Sequence, residues 1–196
     1  MSKIYYTLVG TSPKAYANSL AWFWAHGPVE LRPELVRFIA SKPIPNLGIE
    51  GTRAQLTKAI PIIEENFRRL CGEENLPFKV DLHGVIEVPE NDLLGITREI
   101  VLRAAGSFKE GGGGVAVFDV TAGRKAMSVA AGFSALFLER LFQVKSYLSY
   151  YWLANFTREE MAKPVWELAI DDVGLNVVEV SLLGGVVDEV KRTAGR

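Results

Sequence analysis

The amino-acid sequence predicts an α/β fold with a mainly parallel sheet flanked by helices. Short apolar segments rich in β-branched and aromatic residues alternate with helical patterns through residues 1–150. Such alternation indicates crossover connections between parallel strands. Two further strand-like segments, 165–170 and 176–183, predict an antiparallel hairpin across the turn at 171–174. We therefore expect a single domain over 1–196, with a core over 3–170 and a C-terminal strand pair and tail over 165–196.

The individual elements follow from apolar periodicity and from glycine and proline positions. Pro61 interrupts one helical pattern, where it should bend or restart the helix. A glycine run at 111–114 is a connection placed before the fourth strand, at the edge opposite the strands' carboxyl ends. Residues 42–51 predict a loop. The predicted strands cover 3–9, 35–40, 78–88, 115–120 and 144–153, and the predicted helices cover 15–24, 52–70, 92–105 and 124–141.

Composition excludes several classes of protein. The chain has 196 residues, 48% of them hydrophobic and 23% charged, which is typical of a globular domain. A net charge of −1 argues against a duplex-DNA binder, which usually carries a basic face. Cys71 is the only cysteine, so an intramolecular disulfide or a cysteine-based zinc site is excluded. Without a charged-then-apolar leader or an apolar run of 18 residues, we expect a cytoplasmic protein that does not enter a membrane.

The segment 115–128 is the most informative part of the chain. A buried strand ends at Asp119, and a turn of small residues, Thr121 to Gly123, leads into a helix. The unpaired N–H groups at the start of such a helix suit a phosphate. Arg124 and Lys125 occupy the first helical turn, where the helix dipole disfavours cations. Two cations in this place predict that an anion docks there.

A second turn, Gly10-Thr-Ser-Pro13, follows the first strand. The carboxyl ends of parallel strands meet at one edge of the sheet, where ligands of such folds bind. We therefore expect both turns to line one site. Neither Gly-x-Gly-x-x-Gly nor Gly-x-x-x-x-Gly-Lys-[Ser/Thr] follows a strand, which disfavours an unrelated dinucleotide or nucleoside triphosphate protein.

The two turns together resemble those of the CRISPR-associated Rossmann fold (CARF) family. The chain has Val9-Gly-Thr-Ser-Pro13 after its first strand and Asp119-Val-Thr-Ala-Gly-Arg-Lys-Ala-Met127 after a later one. Ala122 replaces the first glycine of the pair that is usual in the second motif. The resemblance covers roughly residues 3–170 and implies a Rossmann-like fold. It also implies a two-fold homodimer that binds cyclic oligoadenylates, the messengers of type III CRISPR immunity.

No effector motif accompanies these turns. An Arg followed four to six residues later by His, as HEPN ribonucleases require, is absent, because neither His26 nor His83 has such an arginine upstream. Glu189 and Lys191 echo a metal-dependent nuclease motif only faintly. Among members of the family that it resembles, the chain is similar to stand-alone ones, which include ring nucleases, and that resemblance implies their activity. These would open cyclic tetra-adenylate to linear di-adenylate with a 2′,3′-cyclic phosphate, without a metal or other cofactor. The alternative is a sensor that binds the same messenger and regulates a separate partner.

Within that resemblance, Lys125 would neutralise charge on the phosphorane and protonate the leaving 5′ oxygen, and Ser12 would fix the angle of attack. The structural alternatives are helix capping by Ser12, a solvated cation at Lys125, an ion pair of Arg124, turn orientation by Asp119 and capping by Thr121. The remaining ligand contacts are expected from the other residues of the two turns, namely Gly10, Thr11, Asp119, Thr121, Ala122, Gly123 and Arg124.

Apolar residues outside the turns predict the core and an interface. Met127, Phe133 and Phe137 are expected in the core. Leu136, Phe137 and Leu141 give the last helix more apolar surface than one sheet face needs, which predicts the homodimer. The aromatic run 22–24 (Trp-Phe-Trp) either stacks on adenines or packs in the core or the dimer.

Overall fold

A single six-stranded sheet forms the centre of the molecule. The computed structural model describes residues 2–108, 113–154, 157 and 163–182. The strands in chain order are β1 Lys3–Leu8, β2 Leu35–Ser41, β3 Lys79–Val88, β4 Val115–Asp119, β5 Lys145–Leu153 and β6 Val173–Glu179. Their order in the sheet is β3-β2-β1-β4-β5-β6, with β1 to β5 parallel and β6 antiparallel to β5. This arrangement confirms the predicted α/β class with an antiparallel pair and is Rossmann-like.

Four helices cover the two faces of the sheet. They are α1 Pro13–His26, α2 Leu56–Asn66, α3 Leu93–Ala105 and α4 Lys125–Phe142. The pair α1 and α2 packs on one face around Phe23 and Ile63, and the pair α3 and α4 packs on the other around Ile100 and Met127. Because both faces are covered, β1 and β4 are buried on both sides, which explains their continuous apolar sequences.

Local signals account for the starts of α1 and α3. Pro13 is the first residue of α1, where its missing N–H costs nothing. Asp92 caps α3 by accepting a hydrogen bond at Oδ1 from the N–H of Gly95, at 2.9 Å. The predicted restart at Pro61 is wrong, because α2 runs through it. The irregular turns of the 52–70 segment lie instead at its ends, a 3₁₀ turn over Arg53–Gln55 and a π turn over Phe67–Cys71.

The predicted C-terminal hairpin is wrong in its pairing. Val165–Glu167 forms a 3₁₀ turn, not a strand, and β6 pairs with β5. Val165 and Leu168 are buried against the core on the α1 side of the sheet. Pairing with β6 instead satisfies the open edge of β5. The tail with Glu189 and Lys191, and residues 111 and 112 of the glycine run, lie outside the described residues.

Side-chain burial corrects the predicted core. Met127 is fully buried, but Phe133 and Phe137 are 47% and 42% exposed on the outer side of α4. Trp22 and Phe23 are buried, so they are core residues and not a stacking platform. Trp24 packs against Phe67 and Phe78. Across the described ranges, none of the helices combines the length and the apolar character that a bilayer crossing needs.

Candidate functional site

The two turns predicted from the sequence meet at the topological switch point of the sheet, which lies between the neighbouring strands β1 and β4. From β1 the chain passes to α1 on one face, and from the neighbouring β4 it passes to α4 on the other. Ligands bind in the crevice that such a switch point leaves. A Cβ atom on Gly10 would lie 1.9 Å from the carbonyl oxygen of Ala122. The two turns are thus in backbone contact, and only glycine fits at position 10.

Gly123 brings the second turn close to the end of β1. A Cβ atom there would lie 2.3 Å from Cδ1 of Leu8 and 2.9 Å from its Cβ. The side chain of Ala122 packs against the apolar core on the α1 side, so alanine is accommodated at this position. Small residues therefore allow the second turn to lie directly over the end of β1.

Lys125 and Ser12 begin the two helices that start at this point. Lys125 is the first residue of α4 and is exposed, and its side chain has no partner among the described residues. Ser12 is the N-cap residue of α1, but its hydroxyl makes no capping hydrogen bond. Ser12 therefore lies at the capping position, as the structural alternative predicts, but its side chain does not cap the helix. Both polar groups are available to a ligand.

Arg124 is held by the protein itself. It is the N-cap residue of α4, and its guanidinium forms an ion pair with Glu90. The same guanidinium donates a hydrogen bond to the carbonyl of Glu50, at 3.3 Å. The ion-pair alternative is therefore confirmed for Arg124, because Glu90 supplies an anion, and its contact with a ligand stays a prediction. Sequence reasoning missed Glu90, although it lies just past the third strand at the same edge.

Asp119 is a buried residue that holds the second turn in place. It is fully buried, and its Oδ1 accepts a hydrogen bond from the N–H of Thr121 at 3.0 Å. Its Oδ2 accepts one from the hydroxyl of Thr7 at 3.2 Å. Burial raises the pKa of Asp119, while hydrogen bonds from Thr121, Ser19 and Thr7 oppose that rise. The predicted role of Asp119 in orienting the turn is confirmed.

Thr121 joins the turn to the strand and helix beside it. Its Oγ1 accepts a hydrogen bond from the N–H of Tyr151 at 2.9 Å and lies 3.1 Å from the hydroxyl of Ser19. Since Arg124 is the N-cap of α4, the prediction that Thr121 caps that helix is wrong. Ser19 was missed by sequence reasoning, although a serine on the buried side of α1 signals a polar contact.

The loop after β2 completes the site. Thr11 lines a cleft of about 310 Å³ together with Arg124, Gln55 and the segment 48–52. Predicted only as a loop, 42–51 thus contributes a wall that sequence reasoning did not identify. No group of three or more His, Cys, Asp or Glu side chains that could hold a metal occurs within the described ranges. Within the described residues, the site offers two helix N-termini, the unpaired Lys125 and the unbonded hydroxyls of Thr11 and Ser12.

The fold is shared with a solved structure. No protein-family model matches the chain, and no curated protein sequence matches it. The chain is similar to Enterococcus italicus Csm6 bound to cyclic hexa-2′-fluoro-hexa-dAMP, with a TM-score of 0.50 and 11% sequence identity. The match covers 95% of this chain and 44% of that Csm6 chain, so this chain spans less than half of its length. At this identity the likeness shows the fold alone, a Rossmann-like sheet of mostly parallel strands flanked by helices.

Proposed function

We propose that this chain binds cyclic oligoadenylate at the switch point and opens cyclic tetra-adenylate without a metal ion. The observation that carries the proposal is the backbone contact between Gly10 and Ala122, which sets the starts of α1 and α4 side by side. Two helix N-termini and Lys125 then face one crevice, an arrangement suited to phosphates. The Csm6 structure that shares the fold was determined with a cyclic oligoadenylate analogue.

The proposed reaction is an internal transesterification. The ribose 2′-hydroxyl loses its proton to solvent, a bond forms between O2′ and phosphorus, and the bond between phosphorus and O5′ breaks. Lys125 stabilises the charge that grows on the phosphorane oxygens and gives a proton to the leaving O5′. Ser12 hydrogen-bonds the ribose or phosphate so that O2′ stays in line with O5′. Two such steps on the tetra-adenylate ring yield two linear di-adenylates, each with a 2′,3′-cyclic phosphate.

The proposed active form is a homodimer that pairs through α4. Val129, Phe133, Phe137 and Leu141 recur every fourth residue along this helix, and all four are 42% exposed or more. Residues four apart lie on one side of a helix, so the stripe is continuous. It begins one turn after Lys125. A second copy packed on this stripe would place two sites around one axis, which suits a symmetric ring.

A sensor that binds without cleaving uses the same pocket and remains the second candidate. The internal ion pair of Arg124 with Glu90 favours the sensor, since it leaves only Lys125 of the two predicted cations for the reaction. Both functions predict that the ring binds, so only the formation of a cleavage product distinguishes them.

The deciding experiment incubates the protein with cyclic tri-, tetra- and hexa-adenylate in EDTA and separates the products by chromatography. We expect linear di-adenylate with a 2′,3′-cyclic phosphate from the tetra-adenylate ring. The matched variants are Lys125→Ala and Lys58→Ala, the latter removing an exposed lysine of α2 that does not line the cleft beside Thr11. Binding without product would support the sensor. Neither binding nor product for any ring would reject both candidates.

A further inference from the structure

We propose a second ligand site at the edge of the sheet formed by β3, for an organic phosphate of nucleotide size that carries free hydroxyl groups. A cleft of about 670 Å³ lies there between residues 83–87 of β3 and the second half of α3. Small-molecule sites commonly have volumes of about 300–1,000 Å³. The cleft shares no lining residue with the turns at 10–12 and 119–125.

A bulge in β3 creates the cleft. Pairing with β2 is regular up to Arg37 opposite Asp81 and resumes at Ile39 opposite Ile86, so residues 82–85 face a single residue of β2. Asp81 fixes this bulge, because its Oδ1 accepts the N–H of Gly84 at 2.7 Å and its Oδ2 accepts Nε of Arg37 at 3.0 Å. Arg37 also donates to the hydroxyl of Ser107, which follows α3. Bulges of this kind occur next to binding sites, where they redirect side chains.

The cleft presents cations that the protein does not neutralise. Lys42, which follows β2, and Arg103 of α3 both line it, and both are exposed. Neither side chain has an ion-pair partner among the residues that the structure describes. Arg53 also lines the cleft and pairs with Glu87 at 3.1 Å, on the surface, where such a pair contributes little stability. It can therefore turn to a phosphate at low cost.

Glu99 narrows the class of ligand. Glu99 lines the cleft from the same helix as Arg103, and its carboxylate has no partner in the described part of the chain. A bare inorganic anion would be repelled by it, whereas a hydroxyl group can donate a hydrogen bond to it. Leu102 adds apolar surface beside the two charged residues. A phosphate ester of a sugar, as in a nucleotide, offers an anion to the cations, hydroxyl groups to Glu99 and apolar surface to Leu102.

The test is calorimetric titration of the intact protein with ADP, pyrophosphate and ribose. ADP should bind more tightly than pyrophosphate, and ribose more weakly than either. Lys42→Ala and Arg103→Ala should each weaken ADP binding about tenfold, because each removes a charge-assisted contact. Lys58→Ala and Arg98→Ala are the controls, the second removing an exposed arginine of α3 that lies outside the cleft. All four side chains are exposed, so melting temperatures should match that of the unmodified protein.

Glu99→Gln gives an independent readout. It should improve pyrophosphate binding by removing a repulsive charge and so narrow the preference for ADP. Absence of ADP binding at millimolar concentration would overturn the proposal, as would equal losses in the control variants. It would also fail if ADP binding were lost in Lys125→Ala and kept in Arg103→Ala, because ADP would then occupy the switch-point site.

Discussion

Substituting Gly10 by alanine tests the geometry on which the site depends. The added Cβ would lie 1.9 Å from the carbonyl oxygen of Ala122 and 3.0 Å from its carbonyl carbon. Both atoms belong to backbone, so no side-chain rotation can relieve the overlap. The turns after β1 and β4 must move apart, and we expect the starts of α1 and α4 to separate with them.

The expected loss of stability in Gly10→Ala follows from the free-energy cost of overpacking. Forcing an extra methyl group into a close-packed place costs about 1–3 kcal/mol of unfolding free energy. In a chain of this size, each kcal/mol lowers the melting temperature by roughly 2–4 °C, so Gly10→Ala should lower it by roughly 2–12 °C. Binding of cyclic tetra-adenylate should weaken as well, because Ser12 and Lys125 no longer face the same phosphate.

The assay compares Gly10→Ala with Gly132→Ala by thermal unfolding and by ligand titration. Gly132 lies inside α4, and a Cβ atom there would meet only Cδ1 of Leu148, at 4.0 Å. Alanine in a helix interior is favoured over glycine by about 0.5–1 kcal/mol, so this control should be slightly more stable. An unchanged melting temperature for Gly10→Ala, or an equal loss in both variants, would refute the reasoning.

Four further predictions concern catalysis, assembly, charge and pH. Lys125→Ala should lower the single-turnover cleavage rate about a hundredfold while weakening binding far less; equal losses would make it a binding residue only. Phe137→Glu should convert the dimer to a monomer in sedimentation, and a variant that stays dimeric would place the interface elsewhere. Binding of tetra-adenylate should weaken steeply with added salt, and a flat response would mean that stacking dominates. The unfolding free energy of Asp119→Asn should rise relative to that of the unmodified protein as the pH rises. The reason is that burial raises the pKa of Asp119 in the folded protein. As the pH rises, the unfolded chain therefore loses this proton before the folded protein does. The unmodified protein thus loses unfolding free energy from about pH 4 up through the folded-state pKa, and the asparagine variant does not. Urea unfolding at several pH values checks this, and a difference between the two proteins that does not vary with pH would contradict it.

Much of this protein could be predicted from the sequence, because the relevant signals are local. The alternation of strands and helices, the turn at 119–125 and the turn at 10–13 can each be recognised within about a dozen residues. Parallel strands place their carboxyl ends at one edge, so the shared location of the two turns follows from topology alone. Asp119 as the residue that orients its turn also follows from the short separation to Thr121.

Only the tertiary structure decided which distant residues meet. The ion pair between Arg124 and Glu90 joins turns that follow two strands separated in the sheet by β2 and β1, and no local pattern signals it. The exposure of Phe133 on α4 depends on where α3 and the sheet pack, since helical periodicity does not distinguish a core face from an interface face. The pairing of β6 with β5 depends on which edge is left open. Periodicity in the sequence specifies elements and their faces, whereas partners are selected by contacts between residues far apart in the chain.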